Sequence, residues 1–226
     1  MTRTKPDRGR FLSIEGVDGA GKSTQLPRIE RWLQSVGTRT LATREPGGTP
    51  LGESLRTMLL DPRFTGMSPM AELLAVFAAR AEHLAKVIAP AIEDGVWVLC
   101  ERFTDATFAY QGGGRYVDRT TIAALQDIVQ SDIRPDLVLV LDLPPAVGLA
   151  RAERRRHGAV SVQGTAAGSG AADRFEREDA AFFRRVREIY LERARENPER
   201  YAVIDASNDG ATVTEHLIRA IEERLP

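Results

Sequence analysis

At 226 residues the chain is long enough for one large α/β domain with its own core, whereas two domains would each be small. Apolar residues make up 42%, a globular rather than disordered proportion, and the formal net charge of −1 supplies no basic field of the kind that draws nucleic acid. One cysteine, Cys100, excludes an internal disulfide, and no apolar run approaches the roughly 20 residues that span a bilayer. The basic start MTRTKPDRGR leads into only five strand-like residues, unlike a secretory signal. The expectation is a soluble, cytoplasmic, single-domain protein over residues 1–226.

In chain order, Phe11–Glu15 reads as a first strand. It runs into Gly16-Val17-Asp18-Gly19-Ala20-Gly21-Lys22-Ser23, which meets G-x-x-x-x-G-K-[ST] at every fixed position. A helical pattern over 22–36 follows, then a strand at Thr38–Thr43 and the segment TREPGGTPLGESLR at 43–56, whose Pro46-Gly47-Gly48 is a turn closing on Thr49 as an N-cap. Within a long helix over 68–93, Leu73, Phe77, Leu84, Val87 and Ile88 make one apolar side. A third strand, Val96–Cys100, ends in Glu101-Arg102 and leads to TFAYQGGGR. Helices are expected at 118–131, 145–156, 174–195 and 212–224, with strands at Leu137–Leu143 and Tyr201–Asp205. The low-complexity stretch SVQGTAAGSGAAD, 161–173, cannot bury a core and reads as a mobile surface loop. Strands alternating with helices imply parallel βαβ units under helical cover.

The glycine-rich loop turns successive N–H groups toward a phosphate, and the following helix adds its positive end. The nucleotide-phosphate site is therefore assigned to Gly16, Val17, Asp18, Gly19, Ala20, Gly21, Lys22, Ser23 and Thr24. Lys22 serves the outer phosphates and the Ser23 hydroxyl serves Mg²⁺. No Asn-Lys-x-Asp element is present, which counts against a guanine-nucleotide switch. An open parallel sheet puts its ligands at the strand ends, so the loops after the second and third strands become the acceptor candidates. Glu101 stands where such folds place a metal-associated acid, and Phe77 and Arg80 share one helix side.

The phosphate loop, TREPGGT, Ala-Ala-Arg, AYQGGGR, PDLVLVLDLPPAVGLAR (135–151) and DRFEREDAAFFRRVREIYLE (173–192) together resemble the bacterial thymidylate kinases. The match runs from about residue 10 to the C-terminus. The resemblance implies a P-loop three-layer α/β/α sandwich with a five-stranded parallel sheet in the order 2-3-1-4-5. It implies transfer of the γ-phosphoryl of ATP, with Mg²⁺, to dTMP. It also implies a homodimer formed through the helices around 68–93 and 118–131. By similarity, Arg56 and Arg102 hold the acceptor phosphate, with Lys22, Arg102 and Asp18 as catalytic residues and Asp18 also facing the sugar. Glu45 and Phe77 are placed in the acceptor site, Phe77 by stacking, while Arg80, Thr107 and Gln111 read the base. Ser23 and Glu101 are the metal candidates.

Four positions depart from the family pattern. Glu101 replaces the usual aspartate. The base-stacking phenylalanine usually lies four residues before the arginine, where Val76 stands here. Gly19 occupies a position where some members carry an arginine, which transfers that role to a basic lid at about 151–176. Among Arg151, Arg154, Arg155, Arg156 and Arg174, the catalytic candidate taken is Arg154. The insertion at 159–172 is longer than usual. A rival resemblance, to deoxynucleoside kinases, would make Glu45 a general base for a 5′-hydroxyl.

Overall fold

A computed structural model describes residues 8–159 and 173–225, with side chains given up to residue 154 and from residue 173 onward. The expected loop at 161–173 therefore lies almost wholly outside the described residues, as do the side chains of Arg155 and Arg156.

Five strands form one parallel sheet: β1 (Phe11–Glu15), β2 (Thr40–Arg44), β3 (Trp97–Glu101), β4 (Leu137–Asp142) and β5 (Tyr201–Asp205). Their order is β2-β3-β1-β4-β5, as the resemblance implied. β1 and β4 are buried along almost their whole length, which is why they read as near-continuous apolar runs. The nine α-helices among the described residues are α1 (Lys22–Ser35), α2 (Pro50–Leu60), α3 (Pro69–His83), α4 (Ala89–Glu93), α5 (Thr104–Thr107), α6 (Arg119–Gln130), α7 (Pro145–Ala159), α8 (Ala180–Glu196) and α9 (Gly210–Arg224). A π-helical turn at Leu84–Ile88 joins α3 to α4, so the long helix expected at 68–93 is nearly continuous.

Three elements differ from the sequence reading. The helix expected at 174–195 begins only at Ala180, where the Asp179 side chain accepts from the Phe182 N–H. Residues 50–60, absent from the expected helices, form α2, with Thr49, the expected N-cap, accepting from the Gly52 N–H and Pro50 at its start. Gly52 weakens the helical signal, yet a Cβ there would lie 2.5 Å from the Gly47 carbonyl oxygen. Residues 108–114 are helical, with wide turns, rather than a glycine loop. A Cβ on Gly114 would sit 2.4 Å from Phe182, and one on Gly113 would sit 2.5 Å from Ile189. These glycines let α8 pack directly on the segment.

Register sets the site. Ile14 and Arg44 both pair with Glu101, so the loops after β1, β2 and β3 open at one edge of the sheet. The phosphate loop also packs on α7. Gly19, at φ +80°, has the Gly148 carbonyl oxygen where a Cβ would stand, at 2.1 Å. An arginine at position 19 would require the two segments to separate.

Candidate active site

Gly16, Gly19 and Gly21 adopt φ of +134°, +80° and +100°, conformations that glycine enters without steric cost. Between them the loop wraps Lys22, whose Nζ donates to the carbonyls of Gly16 and Val17 at 3.0 and 2.9 Å. Burial and the nearby Arg102 lower the Lys22 ammonium to about 8, against the pull of Asp18 and Glu101. Ser23 and Thr24 are exposed on the first turn of α1. The Ser23 hydroxyl donates to Glu101 Oε1 at 3.1 Å. Two hard oxygen donors at an open position suit Mg²⁺, which takes its other ligands from phosphates and water. The longer glutamate thus reaches the hydroxyl that the motif assigns to the ion.

Arg102 carries a left-handed backbone, φ +65°, a strained conformation for a non-glycine residue. Its N–H donates to the Ile14 carbonyl at 3.0 Å. Its guanidinium donates to Asp18 Oδ1 at 2.5 Å, the Gly16 carbonyl at 3.0 Å and Tyr110 Oη at 3.0 Å. Burial alone would raise the Asp18 carboxyl, but Arg102, Lys22 and the Tyr110 hydroxyl outweigh it and the net shift is downward. Arg56, half-buried, donates to the Pro46 carbonyl at 3.1 Å. Burial, Arg44 and Arg102 lower its pKa, against the pull of Glu53 and Glu101.

Two cavities meet at these residues. One is lined by Lys22, Ser23, Gly21, Arg44 and Glu101, the other by Val76, Arg80, Thr107, Tyr110, Gln111 and Phe175, and both share Asp18, Glu45, Arg56 and Arg102. In the second, Arg80 donates from Nε to Glu45 at 2.7 Å and from Nη2 to Thr107 Oγ1 at 2.9 Å and the Phe103 carbonyl at 3.1 Å. Its Nη1 is buried without a partner. The Gln111 amide donates to Glu72 at 2.7 Å, which fixes its orientation. A third cleft, beside Gly19–Gly21 and Thr24, is lined by Arg151, Arg154 and Asn208.

One expectation changes, and two further candidates are already engaged within the protein. Phe77 is a core residue, 2% exposed, and Val76 lines the cavity in its stead, because one residue turns a helix by about 100°. Phe77 instead backs the Arg80 guanidinium, 4.8 Å from its ring centre. Glu45 reaches the cavity wall, but both its oxygens are engaged, by Arg80 and by His83. Arg174 is 3% exposed and bonds Glu72 and the Leu59 carbonyl. Arg154 lies in the third cleft with its Nε on the Ala150 carbonyl of its own helix. Sequence reasoning missed Glu72, fully buried, which gathers Gln111, Arg115 and Arg174. It also missed Tyr110 and Tyr190 around Arg102. The signal for Glu72 was a stripe of ionisable residues at 72, 80 and 83 on the buried side of α3.

A phosphate loop at the edge of a parallel sheet, a lysine and a hydroxyl–carboxylate pair beside it, and an adjoining cavity ringed by arginines define a P-loop phosphotransferase for a second nucleotide. Residues 14–217 match the thymidylate kinase family model. The chain is 50% identical over 217 residues to a thymidylate kinase of Pseudomonas syringae pv. tomato, covering 96% of this chain and 97% of that protein. It is 48% identical over 218 residues to a thymidylate kinase of Chromohalobacter salexigens, covering 96% and 97%. The crystal structure of thymidylate kinase from Ehrlichia chaffeensis superposes with a TM-score of 0.73 at 31% identity, covering 95% of this chain and 99% of that one. The chain belongs to the thymidylate kinase family.

Proposed function

We propose that the site carries out its family's reaction, phosphorylation of dTMP to dTDP with ATP as donor, and that the whole chain acts as one kinase domain. The observation that carries the reading is the shared wall of the two cavities, where Asp18, Arg56 and Arg102 line both the cavity of Lys22 and Ser23 and the cavity of Arg80, Thr107 and Gln111. An acceptor phosphate is already an anionic nucleophile, so catalysis reduces to aligning two repelling anions and neutralising them. Arg56 and Arg102 would hold the acceptor phosphate, with Asp18 fixing Arg102 and facing the sugar. Lys22 and the loop N–H groups would hold the donor phosphates. Ser23 and Glu101 would hold Mg²⁺, which when bound neutralises phosphoryl charge. Arg80, Thr107 and Gln111 would read the base, with the unpartnered Arg80 Nη1 as a donor waiting for an acceptor. Arg151 and Arg154 would flank the donor nucleotide. Engagement of both Glu45 oxygens favours a phosphate acceptor over the rival 5′-hydroxyl acceptor, which needs a free base.

Homodimerisation is part of the proposal. Ala71, Leu74, Ala78, Ala81 and Ala85 are exposed on one side of the α3 helix and its continuation, with Leu74 50% exposed, and Ile128 on α6 is 78% exposed. An apolar stripe of small residues suits close helix packing. No described helix is long and apolar enough to cross a membrane, and a cytoplasmic location is proposed with the enzyme's role in dTTP supply.

Lys22→Ala tests the core of this reading. Turnover should fall at least roughly 100-fold, since the lost charge faces the transferring group, while dTMP still binds by calorimetry. Near-normal turnover in the folded variant would refute the phosphate-loop assignment.

A further inference from the structure

Arg80 is held from behind by a second buried pair. His83, fully buried, lies three residues further along α3. Its Nδ1 is 3.1 Å from Glu45 Oε1, and a carboxylate oxygen only accepts, so Nδ1 is the donor. Its Nε2 is 2.7 Å from Thr43 Oγ1 on β2. The ring fits there because residue 48 is glycine: a Cβ on Gly48 would stand 2.4 Å from Nε2. The other Glu45 oxygen takes Arg80 Nε, and Arg80 Nη2 goes to Thr107 and Phe103. Only Nη1 is left over.

We infer that His83 is a positioning residue for nucleobase recognition: by holding Glu45 Oε1 it keeps the carboxylate on Arg80 Nε alone and leaves Nη1 for the base. The inference rests on the reading of this cavity as the acceptor-nucleotide site. Released from His83, the carboxylate would take Nε and Nη2 together, the two-pronged pairing that arginine favours. That would draw Nη2 from Thr107 and turn Nη1 away from the ligand.

Asparagine puts its amide nitrogen near the place of imidazole Nδ1, and glutamine puts its own near Nε2. His83→Asn therefore keeps the donor to Glu45, and His83→Gln keeps only the contact with Thr43. His83→Gln should raise the dTMP KM at least fivefold with the ATP KM within twofold, and His83→Asn should leave both within twofold. If His83→Gln does not fold, Gly48→Ala displaces the ring from outside and should raise the dTMP KM alone. Equal behaviour of the asparagine and glutamine variants, equal shifts in both KM values, or an unmoved dTMP KM in Gly48→Ala overturns the inference. Wild-type protein that binds no dTMP by calorimetry overturns the cavity reading itself.

Discussion

Replacing Arg56 by methionine separates binding from folding unusually well. Among the described residues the side chain makes one hydrogen bond, to the Pro46 carbonyl, and it lines both cavities. Loss of that bond costs the fold about 0.5–1.5 kcal/mol. Against this, the substitution removes a half-buried cation whose pKa is lowered by burial and by Arg44 and Arg102, so repulsion is relieved. The two effects oppose, and about 1 kcal/mol moves the midpoint of a domain this size by roughly 2–4 °C. The melting midpoint should therefore stay within about 4 °C of wild type. The acceptor phosphate, however, loses a charge-assisted contact worth about 1.5–3 kcal/mol. That is about a 10- to 150-fold fall in kcat/KM for dTMP, with the ATP KM nearly unchanged. An ADP-release assay titrating each substrate, together with thermal melting, reads both quantities. Equal rises in both KM values, or a large fall in midpoint that accounts for the lost activity, would refute the reasoning.

The remaining predictions concern pH. Lys22 sits near 8; its charge is complete below that value and lost above it, so kcat/KM for ATP should fall on the alkaline side with an apparent pKa near 8. Lys22→Arg should lack this limb, and a limb that persists in that variant contradicts the assignment. Burial and the neighbouring Asp105 raise Glu15 from 4.5 to about 8. Between those values the folded state keeps a proton that the unfolded state has lost, so this residue's contribution to stability falls as pH rises through the window. Glu15→Gln, which retains an acceptor for the Phe103 N–H, should gain stability relative to wild type from about pH 4.5 to about pH 8. Denaturant unfolding at several pH values checks it, and a constant difference across the window would contradict it.

Much of the fold could be read from the sequence because the central parallel strands are buried on both faces: Phe11–Glu15 has the expected bounds, and Tyr201–Asp205 has them too, although it is an edge strand with Val203 46% exposed. The helices missed were those whose glycines answer to a neighbour rather than to their own backbone. Gly52 makes room for the Gly47 carbonyl, and Gly113 and Gly114 make room for α8, and no local pattern reports such contacts. Motif residues were brought together at the strand ends as spacing implied: Lys22, Ser23, Glu101 and Arg102 share one cavity. What spacing could not carry was the direction of a side chain. Phe77 and Val76 differ by one helical position, yet one enters the core and the other the cavity wall. Arg174 entered as one of five lid arginines, through the resemblance of its segment to the family's closing stretch. Its place was decided by Glu72, a buried acid roughly a hundred residues earlier.

The most direct test of the account is phosphorus NMR of the purified protein with ATP, Mg²⁺ and equimolar dTMP, run beside the same mixture with thymidine in place of dTMP. The account predicts that the dTMP signal gives way to the two coupled resonances of dTDP, with one ADP formed for each, and that thymidine stays unphosphorylated. Phosphorylation of thymidine to dTMP without dTDP formation, or ATP binding with no turnover of either acceptor, would contradict it.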